Sequence, residues 1–440
     1  MPNLAQRQAL PLILDSGAAF ARSEGAVFSA SAFLESAASL ADRLTPAGEI
    51  LNLCENRYRF VVAFAAALSR GKTTLLPSSH APTAVAELVA AYPGCSVMDD
   101  AGVVSAGGQQ PQEVAEPPED FIAAIGHTSG STGRPAAHAK SWRGLCATTA
   151  LNAATIRAAI GGSAPTQQSW IVATVPPQHM YGLEISVLLP LLAGFGIHGG
   201  RPLLPADVAA ALDEIPAPRV LVSTPVHLRS LVESGVDFPD VAVVVSATAP
   251  LQRELARRVE QRLRAVLVEM FGSTETCVIA TRRTVQDDGW RAYPGILLEP
   301  VEGGTIVRAP WLARDQLLQD IIEVRADRSF TVVGRHGDLV EVAGKRASLT
   351  DLTRRLISLP GVEDAIVFQP AAKSSGVRRC AALVVAPGLS AREVLQRFRL
   401  EVDAAFLPRP LVVVPALPRN EVGKVPMERM LALLRSARSD

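Results

Sequence analysis

The stretch that decides the fold is His127-Thr128-Ser129-Gly130-Ser131-Thr132-Gly133-Arg134-Pro135. It follows the apolar run Phe121-Ile122-Ala123-Ala124-Ile125-Gly126, whose length and flanking residues are typical of a buried strand. The two glycines let the backbone approach a ligand closely, and the hydroxyl groups stand beside exposed backbone N–H groups. This combination after a strand favours a phosphate-binding loop. The alternative interpretation is a surface turn, which is the usual role of serine and glycine clusters.

The loop differs from the P-loop of the nucleoside triphosphatases. That motif ends in Gly-Lys-Ser/Thr, whereas Arg134 and Pro135 follow the last glycine here. The stretch resembles the phosphate loop of the acyl- and aryl-adenylating superfamily, which includes acyl-CoA synthetases, aryl-acid ligases and luciferase-like enzymes. Their pattern is Thr-Ser-Gly-Ser/Thr-Thr-Gly-x-Pro-Lys, and this chain matches it except at the last position, where Ala136 replaces lysine. The variant is similar to a bacterial branch of the superfamily associated with aryl polyene pigment clusters.

The composition is that of a large globular protein. The chain has 440 residues, 48% of them hydrophobic and 20% charged, so more than one domain with a large core is expected. Lys+Arg and Asp+Glu both total 43, which gives no indication of nucleic-acid binding. The five cysteines show no metal-ligand or disulfide spacing, as is usual in a reducing compartment. Without a secretory signal or a membrane-spanning apolar run, we predict a cytoplasmic protein with no membrane insertion.

Strand and helix patterns alternate along the chain and predict its fold class. Helical spacing of apolar residues occurs at 31–43, 58–69 and 251–263. Continuous apolar or β-branched runs predict strands at 50–54, 73–77, 170–175, 220–225, 241–245 and 265–270. Repeated strand–helix–strand units imply an α/β fold with doubly wound, mostly parallel sheets in a large N-terminal domain.

The chain beyond residue 338 shows a smaller set of alternating patterns. These predict helices at 348–359 and 392–406 and strands at 363–368, 380–386 and 411–414. Gly334-Arg335-His336-Gly337-Asp338 partly matches the Gly-Arg-x-Asp-Asp segment at the hinge of the superfamily. The resemblance therefore implies an adenylation domain at 1–336, a mobile α+β lid domain at 338–440 and a hinge near Gly337.

Other segments resemble the superfamily's nucleotide motifs and follow the loop in the same order. Phe271-Gly272-Ser273-Thr274-Glu275 is similar to Tyr-Gly-x-Thr-Glu, in which the glutamate offers Mg²⁺ a hard oxygen ligand; the alternative is a solvated loop glutamate. Asp320 lies fourteen positions before Gly334, as the ribose-binding aspartate does in the superfamily. We predict ATP-binding roles for Thr128, Ser129, Gly130, Ser131, Thr132, Gly133, Lys140, Ser246, Ala247, Thr248, Phe271, Gly272, Ser273, Thr274, Asp320 and Arg335.

The segment Pro176-Pro177-Gln178-His179-Met180-Tyr181-Gly182 resembles the superfamily's Pro-x-x-His-x-x-Gly, which lies beside the substrate carboxylate. By this resemblance His179 is catalytic. His179-Met180-Tyr181 is also similar to the His-x-Tyr of hydroxycinnamate ligases, which implies that Tyr181 hydrogen-bonds a ring hydroxyl while its ring packs on an aromatic acid. The alternatives are a structural histidine and a tyrosine of the core. The predicted substrate-binding residues are His179, Tyr181, Gly182, Ser223 and Gly272.

The segment Leu417-Pro418-Arg419-Asn420-Glu421-Val422-Gly423-Lys424 resembles Leu-Pro-x-Thr-x-x-Gly-Lys. The match identifies Lys424 as the adenylation lysine, whose ammonium neutralises charge on the reacting carboxylate and α-phosphate. Thr128, His179 and Glu275 complete the predicted catalytic set.

Ala136 stands where the superfamily has a lysine, so another cation is expected beside the triphosphate. Lys140 lies four residues further on, a separation that one helical turn would bring to the same face. We predict that Lys140 supplies the outer-phosphate cation, with His138 as the weaker candidate. The alternative is that Lys140 is an ordinary surface lysine and that the loop backbone and Mg²⁺ suffice.

The resemblance implies an AMP-forming acid–thiol ligase. A carboxylate attacks the α-phosphate of ATP with Mg²⁺, pyrophosphate leaves, and a thiol of CoA or of carrier-protein phosphopantetheine takes the acyl group. The favoured acid is aromatic, similar to a hydroxybenzoate or a cinnamate. The alternatives are a fatty-acid ligase, which would have little use for Tyr181, and a non-catalytic nucleotide-binding relative.

Overall fold

A computed structural model describes residues 17–45, 48–103, 117–128, 136–161, 167–335, 339–342, 345–370, 379–420 and 425–436. The chain forms two compact units. The first comprises Met1–Gly295 with Ala309–Ala313, and the second comprises Ile296–Arg308 with Arg314–Asp440. Among the described residues, none of the helices is both long and apolar enough to cross a membrane.

The helices are α1 Ala30–Arg43, α2 Arg57–Ser69, α3 Pro82–Ala91, α4 Trp142–Ile160, α5 Met180–Leu183, α6 Leu189–Ala193, α7 Pro205–Asp213, α8 Pro225–Glu233, α9 Arg253–Leu263, α10 Leu349–Ile357, α11 Ala391–Phe398 and α12 Met427–Ser436. A π-helical segment, Glu184–Leu188, joins α5 to α6, and a 3₁₀ turn covers Ala404–Phe406.

The strands are β1 Ala19–Ser23, β2 Ala26–Ser29, β3 Ile50–Asn52, β4 Thr74–Leu76, β5 Ser96–Met98, β6 Ile122–Thr128, β7 Ala136–Ser141, β8 Trp170–Ala173, β9 Gly196–His198, β10 Arg219–Ser223, β11 Val243–Ser246, β12 Val266–Ser273, β13 Cys277–Arg282, β14 Trp290–Ala292, β15 Leu297–Val301, β16 Gly304–Arg308, β17 Gln316–Leu318, β18 Asp320–Val324, β19 Ser329–Arg335, β20 Leu339–Val342, β21 Lys345–Ser348, β22 Asp364–Phe368, β23 Ala381–Val385 and β24 Leu411–Val413.

The smaller sheet of the first unit carries the strand that leads into the glycine-rich loop. Its order is β5-β3-β4-β6-β7, with the first four strands parallel and β7 antiparallel to β6. Helix α2 begins after Asn56, whose side chain accepts a hydrogen bond from the N–H of Arg59, and its apolar residues are buried on nearly every side. The strand order makes β6 an inner strand of this sheet, between β4 and β7.

The larger sheet of the first unit contains the order β14-β13-β12-β11-β10-β8-β9-β1-β2. Strands β12, β11, β10, β8, β9 and β1 run parallel, and antiparallel strands flank them on both sides. Alternate residues of the parallel strands, such as Val172, Leu221 and Val244, share a core with α7, α8 and α9. The residues between them, such as Val220 and Val245, are equally buried on the other face. Burial on both faces explains the continuous apolar runs of these strands.

The second unit has its own α+β core. Strand β22 pairs antiparallel with β23, which pairs parallel with β24. Ala382 and Val384 of β23 face α10 and α11, whereas Leu383 faces α12. Strands β15, β16 and β17 form an antiparallel sheet, and β18–β19 and β20–β21 are hairpins.

The predicted helix at 392–406 is too long. Helix α11 ends at Phe398, and the side chain of Asp403 instead accepts the N–H of Ala405 to start a separate 3₁₀ turn. Aspartate bonds its own neighbouring backbone in this way and so competes with helix continuation. The predicted domains 1–336 and 338–440 and the hinge near Gly337 stay predictions, because residues 336–338 lie outside the described part. The compact units divide the chain earlier, after Gly295.

Candidate functional site

The glycine-rich loop is carried by a β-hairpin. Strand β6 ends at Thr128 and β7 begins at Ala136, and these two residues are paired across the hairpin. A Cβ on Gly126 of β6 would lie 3.0 Å from Cγ2 of Thr274 and 3.5 Å from Sδ of Met180. The hairpin therefore packs closely on two other segments that the sequence analysis selected. The loop residues themselves (Ser129, Gly130, Ser131, Thr132 and Gly133) lie outside the described residues.

Three side chains meet at the base of the loop. The Oγ1 atom of Thr128 lies 3.2 Å from Nε2 of His138, which in turn lies 3.8 Å from Oε1 of Glu275. The Glu275 side chain is 33% exposed, so a ligand or an ion can reach its carboxylate. The structure thus brings together Thr128 and Glu275, which the sequence assigned to phosphate and metal.

The charges of this cluster are set by burial and by near neighbours. Burial lowers the pKa of His138 despite the opposing effect of Glu275, so its imidazole is neutral at pH 7. Burial alone would raise the pKa of Glu275, but the Ser273 hydroxyl, its own backbone N–H and the nearby His138 and Lys140 lower it below the ordinary value. Glu275 is therefore ionised at neutral pH, whereas His138 is no permanent replacement for the missing lysine.

Lys140 occupies a buried position on a strand. The expectation that a helical turn brings Lys140 beside Ala136 is wrong, because residues 136–141 form β7; side chains four apart share a face there through the two-residue repeat of a strand. Lys140 is 6% exposed, and its Nζ donates a 2.6 Å hydrogen bond to the backbone carbonyl of Glu275. The alternative of an ordinary surface lysine is therefore wrong as well.

The turn at residues 273–278 presents Thr274 and Glu275. The Oγ of Ser273 accepts the N–H groups of Glu275 and Thr276, both at 3.2 Å. A Cβ on Gly272 would lie 2.2 Å from the carbonyl oxygen of Cys277, so the close approach at this glycine is to strand β13. The packing of the hairpin thus accounts for Gly272 without a nucleotide.

The segment before α5 is held by polar contacts with Cys54, which precedes α2, and with Arg57, the first residue of α2. Nε2 of Gln178 donates to the carbonyl of Cys54 at 2.6 Å, and the Arg57 guanidinium donates to the carbonyl of Val175. Arg57 is fully buried, and it also donates to Oγ of Ser186 at 2.9 Å. Burial and the neighbouring Arg201 lower the pKa of Arg57 to about 9. Arg57 is not among the predicted site residues, although an arginine is unusual at the start of an apolar helix.

Tyr181 is part of the protein interior. Its hydroxyl donates to the carbonyls of Ser223 at 3.1 Å and Val245 at 2.8 Å, and its residue exposure is 5%. Burial raises the pKa of Tyr181 well above its ordinary value. These contacts use the phenolic proton and favour the packing interpretation over a hydrogen bond donated to a substrate hydroxyl. His179 directly precedes α5, with its N–H on the carbonyl of Pro176 at 3.3 Å.

Polar residues follow the parallel strands at their carboxyl ends, where ligands bind in open α/β sheets. Ser223 and Ser246 are paired across β10 and β11. The Oγ of Ser223 lies 3.0 Å from Oγ1 of Thr174, whereas the buried hydroxyls of Ser246 and Thr224 have no hydrogen-bond partner among the described residues. Such hydroxyls mark positions where a ligand atom can complete a bond.

The turn after β11 and the end of β12 are shaped by unusual backbone and ring contacts. Thr248, one residue after Ala247, has a φ of 78°, a strained value for a β-branched residue and one found most often at functional sites. The ring of Phe271 packs tilted on Trp290 with centroids 5.2 Å apart. The strained backbone at Thr248 agrees with a functional role for this turn.

The second unit contains the remaining predicted ribose residues. Asp320 begins β18 and Arg335 ends β19, and the two are directly paired across the hairpin. Oγ1 of Thr305 donates to the backbone carbonyl of Asp320 at 2.6 Å. The side chain of Arg335 and the whole of Lys424 lie outside the described residues.

Glu184 is a buried acidic residue that is not among the predicted site residues. Glu184 is 1% exposed, and its Oε2 accepts the N–H of Val278 at 3.1 Å and lies 3.5 Å from Nδ2 of Asn152. Burial raises the pKa of Glu184 from 4.5 to about 7, against the lowering effects of Val278, Lys140 and Asn152. The signal in the sequence is a single charge within the apolar helical run at 183–193.

The raised pKa makes stability depend on pH. Folded Glu184 holds its proton between pH 4.5 and 7 while the unfolded chain loses it, so the free energy of unfolding falls as pH rises through this window. We expect Glu184→Gln to be more stable than wild type by on the order of 3 kcal/mol at pH 8 and nearly equal at pH 4.5. Urea unfolding of both proteins at the two pH values measures this, and a difference independent of pH would contradict it.

A hairpin that carries a glycine-rich sequence, a carboxylate turn beside it and polar strand ends on parallel sheets are the features expected of an adenylate-forming enzyme. A sequence profile of AMP-binding enzymes matches residues 50–302, more than half of the chain. The chain belongs to the AMP-binding enzyme family. The predicted superfamily and the predicted α/β fold with a large N-terminal and a small C-terminal domain are confirmed.

Individual proteins show the same similarity. A 4-coumarate–CoA ligase of Halorhodospira halophila is 29% identical over 315 residues, covering 68% of this chain and 73% of that protein. A salicylyl-CoA synthase / salicylate adenylyltransferase of Streptomyces sp is 27% identical over 289 residues, and the match spans 57% of this chain and 49% of that protein. The ATP-bound RpMatB-BxBclM chimera B3 has the same fold, with a TM-score of 0.80 at 18% identity over 98% of this chain and 99% of that one. The predicted AMP-forming acid–thiol ligase is confirmed at the level of this class.

Proposed function

We propose that the chain activates an aromatic carboxylic acid, similar to a hydroxybenzoate or a hydroxycinnamate, as its acyl-adenylate and transfers the acyl group to a thiol. The observation that carries this proposal is the meeting of Thr128, His138 and the ionised Glu275 at the base of the glycine-rich loop. The choice of an aromatic acid is supported by relatives named for 4-coumarate and salicylate. A role in an aryl polyene pathway, as the loop variant suggests, is the narrower form of the proposal.

ATP and Mg²⁺ are the proposed cofactors. The donor set suits Mg²⁺, because Glu275 offers an ionised and accessible carboxylate, while among the described residues no group of three metal-binding side chains occurs. A magnesium ion held by one protein carboxylate takes its other oxygens from phosphates and water. When bound, it would neutralise phosphate charge; Thr128 and the loop backbone would hold the phosphates beside it.

The decisive experiment is acid-dependent exchange between pyrophosphate and ATP over a panel of hydroxybenzoates, hydroxycinnamates and fatty acids. We expect exchange with one or more of the aromatic acids. Exchange confined to fatty acids would establish the rival fatty-acid ligase, and absence of exchange with every acid would indicate a non-catalytic nucleotide-binding relative. Mass spectrometry of products formed with CoA or with a phosphopantetheinylated carrier protein then identifies the thiol acceptor.

The metal role of Glu275 gives a separate prediction. We expect Glu275→Gln to raise the half-saturating Mg²⁺ concentration roughly tenfold, because a neutral amide is a poorer ligand for a hard cation. Initial rates of exchange over a range of Mg²⁺ concentrations at saturating acid measure the effect. The control is Glu254→Gln, since that glutamate of α9 has a side chain 72% exposed. Wild-type magnesium dependence of the Glu275 variant would remove this residue from the metal site.

A further inference from the structure

The turn at residues 273–278 is held from inside the protein at two backbone atoms. The ammonium of Lys140 donates to the carbonyl of Glu275 at 2.6 Å, and the carboxylate of Glu184 accepts the N–H of Val278 at 3.1 Å. The two side chains are 6% and 1% exposed. Two buried side chains thus bind opposite ends of the turn that carries the proposed magnesium ligand.

Both side chains are fixed by regular structure. Lys140 stands on β7 opposite Ala124 of β6, in the hairpin that carries the phosphate loop. Glu184 begins the π-helical segment that follows α5, and such segments are frequent at functional sites. The Asn152 side chain beside Glu184 accepts a 2.8 Å hydrogen bond from the Tyr293 hydroxyl. Each of the two side chains therefore projects from a regular element of the backbone.

We propose that Lys140 and Glu184 act as a pair of positioning residues that set the place of the Glu275 carboxylate relative to Thr128 and His138 of the β6–β7 hairpin. This inference deepens the proposed function and rests on it. Lys140 links β7 to the turn through one hydrogen bond, so the hairpin that presents the loop also orients the metal ligand. Glu184 holds the other end of the same turn through the N–H of Val278.

The geometry distinguishes this role from a direct contact between Lys140 and an outer phosphate. A lysine that binds phosphate directs its ammonium at the ligand, whereas the Lys140 ammonium is buried against a protein carbonyl. A phosphate-binding lysine contributes to ATP affinity with or without metal. A positioning lysine contributes only to the part of ATP affinity that depends on Mg²⁺.

The test measures equilibrium binding of ATP by calorimetry, once with excess Mg²⁺ and once with EDTA. We expect Lys140→Met to reduce the magnesium-dependent gain in ATP affinity roughly tenfold or more, the range seen when residues that orient metal ligands are lost. Its Kd for ATP in EDTA should stay close to wild type. Lys140→Arg keeps a charged donor and should recover most of the gain.

The variant Glu184→Gln is a second, independent test of the proposal, because glutamine has the same shape as glutamate. Its amide oxygen can still accept the Val278 N–H, so we expect a smaller loss of the magnesium-dependent gain than in Lys140→Met. Both side chains hold the same turn, so the loss in the double variant should be smaller than the product of the two single losses. If the loss in the double variant equals the product of the two single losses, the two residues act independently and the proposed pair is wrong.

The matched control is Lys72→Met. Lys72 is also 6% exposed and donates to a backbone carbonyl, that of Gly48, at 2.9 Å, but it lies outside the cluster at the loop. If the Lys140 and Lys72 variants lose the gain equally, or if Lys140→Met weakens ATP binding equally in EDTA, the positioning role is wrong. If wild-type protein shows no magnesium-dependent ATP binding, the proposed function itself fails.

Discussion

Lys424→Ala is expected to abolish formation of the acyl-adenylate. The resemblance at residues 417–424 predicts that the Lys424 ammonium neutralises charge on the carboxylate and the α-phosphate as they react. Loss of one such group lowers rates by roughly 10²–10³-fold in enzymes that depend on fixed charge stabilisation. Pyrophosphate exchange with the preferred acid measures this step directly.

The second half of the reaction should survive in the same variant. Thioester formation from chemically supplied acyl-adenylate does not use the charge that Lys424 provides, so we expect it to stay close to the wild-type rate. Lys373→Ala is the control, because this lysine of the C-terminal region matches no motif. The segment before Lys424 is fixed in the second unit by Arg419, which binds both carboxylate oxygens of Asp364 at 3.0 and 2.7 Å. An unchanged exchange rate in Lys424→Ala would exclude this lysine from the mechanism.

Gly182→Ala is expected to destabilise the first unit and to remove acid activation with it. A Cβ at this position would lie 2.0 Å from the carbonyl oxygen of Pro176 and 2.9 Å from its carbonyl carbon. Backbone atoms cannot rotate away as a side chain can, so the residues 176–182 that contain His179 must move. We expect a loss of ~3 kcal/mol or more in the free energy of unfolding, at the upper end for overpacking.

The comparison with Gly235→Ala isolates the cause. An added Cβ at Gly235, in an exposed connection after α8, meets no atom within 4 Å. We expect that variant to unfold at the wild-type urea concentration. If Gly182 only lined the acid pocket, its alanine variant would change the acids accepted while leaving stability intact, and this result would contradict the close-approach explanation.

The sequence was sufficient for the family, the fold class and the position of most elements in the parallel sheets. Strands β10 and β11 were recognised because parallel strands buried on both faces must be apolar throughout. The motif ending at Glu275 was recognised by its resemblance to a superfamily segment, whose glycine, hydroxyl and carboxylate serve one chemistry. Each of these signals lies within a short stretch of consecutive residues, so it can be recognised from the sequence without the structure.

Tertiary structure decided the partners of the buried polar groups. Lys140 binds a carbonyl 135 residues away, and Glu184 binds an N–H 94 residues away. The Tyr181 hydroxyl was predicted to face a substrate, but it bonds the carbonyls of Ser223 and Val245. Gly272 was assigned to nucleotide approach, yet the backbone of β13 already requires the absence of a side chain there.

The physical reason is the cost of burying a polar group without a partner. A buried ammonium, carboxylate or phenol must find a hydrogen bond, and the group that supplies it is whichever element the fold brings within about 3 Å. Spacing along the chain does not indicate which group that neighbour is when the two residues lie on separate strands or helices. The sequence by itself thus determined which chemistry this protein carries, and only the folded chain decided which side chains hold that chemistry in place.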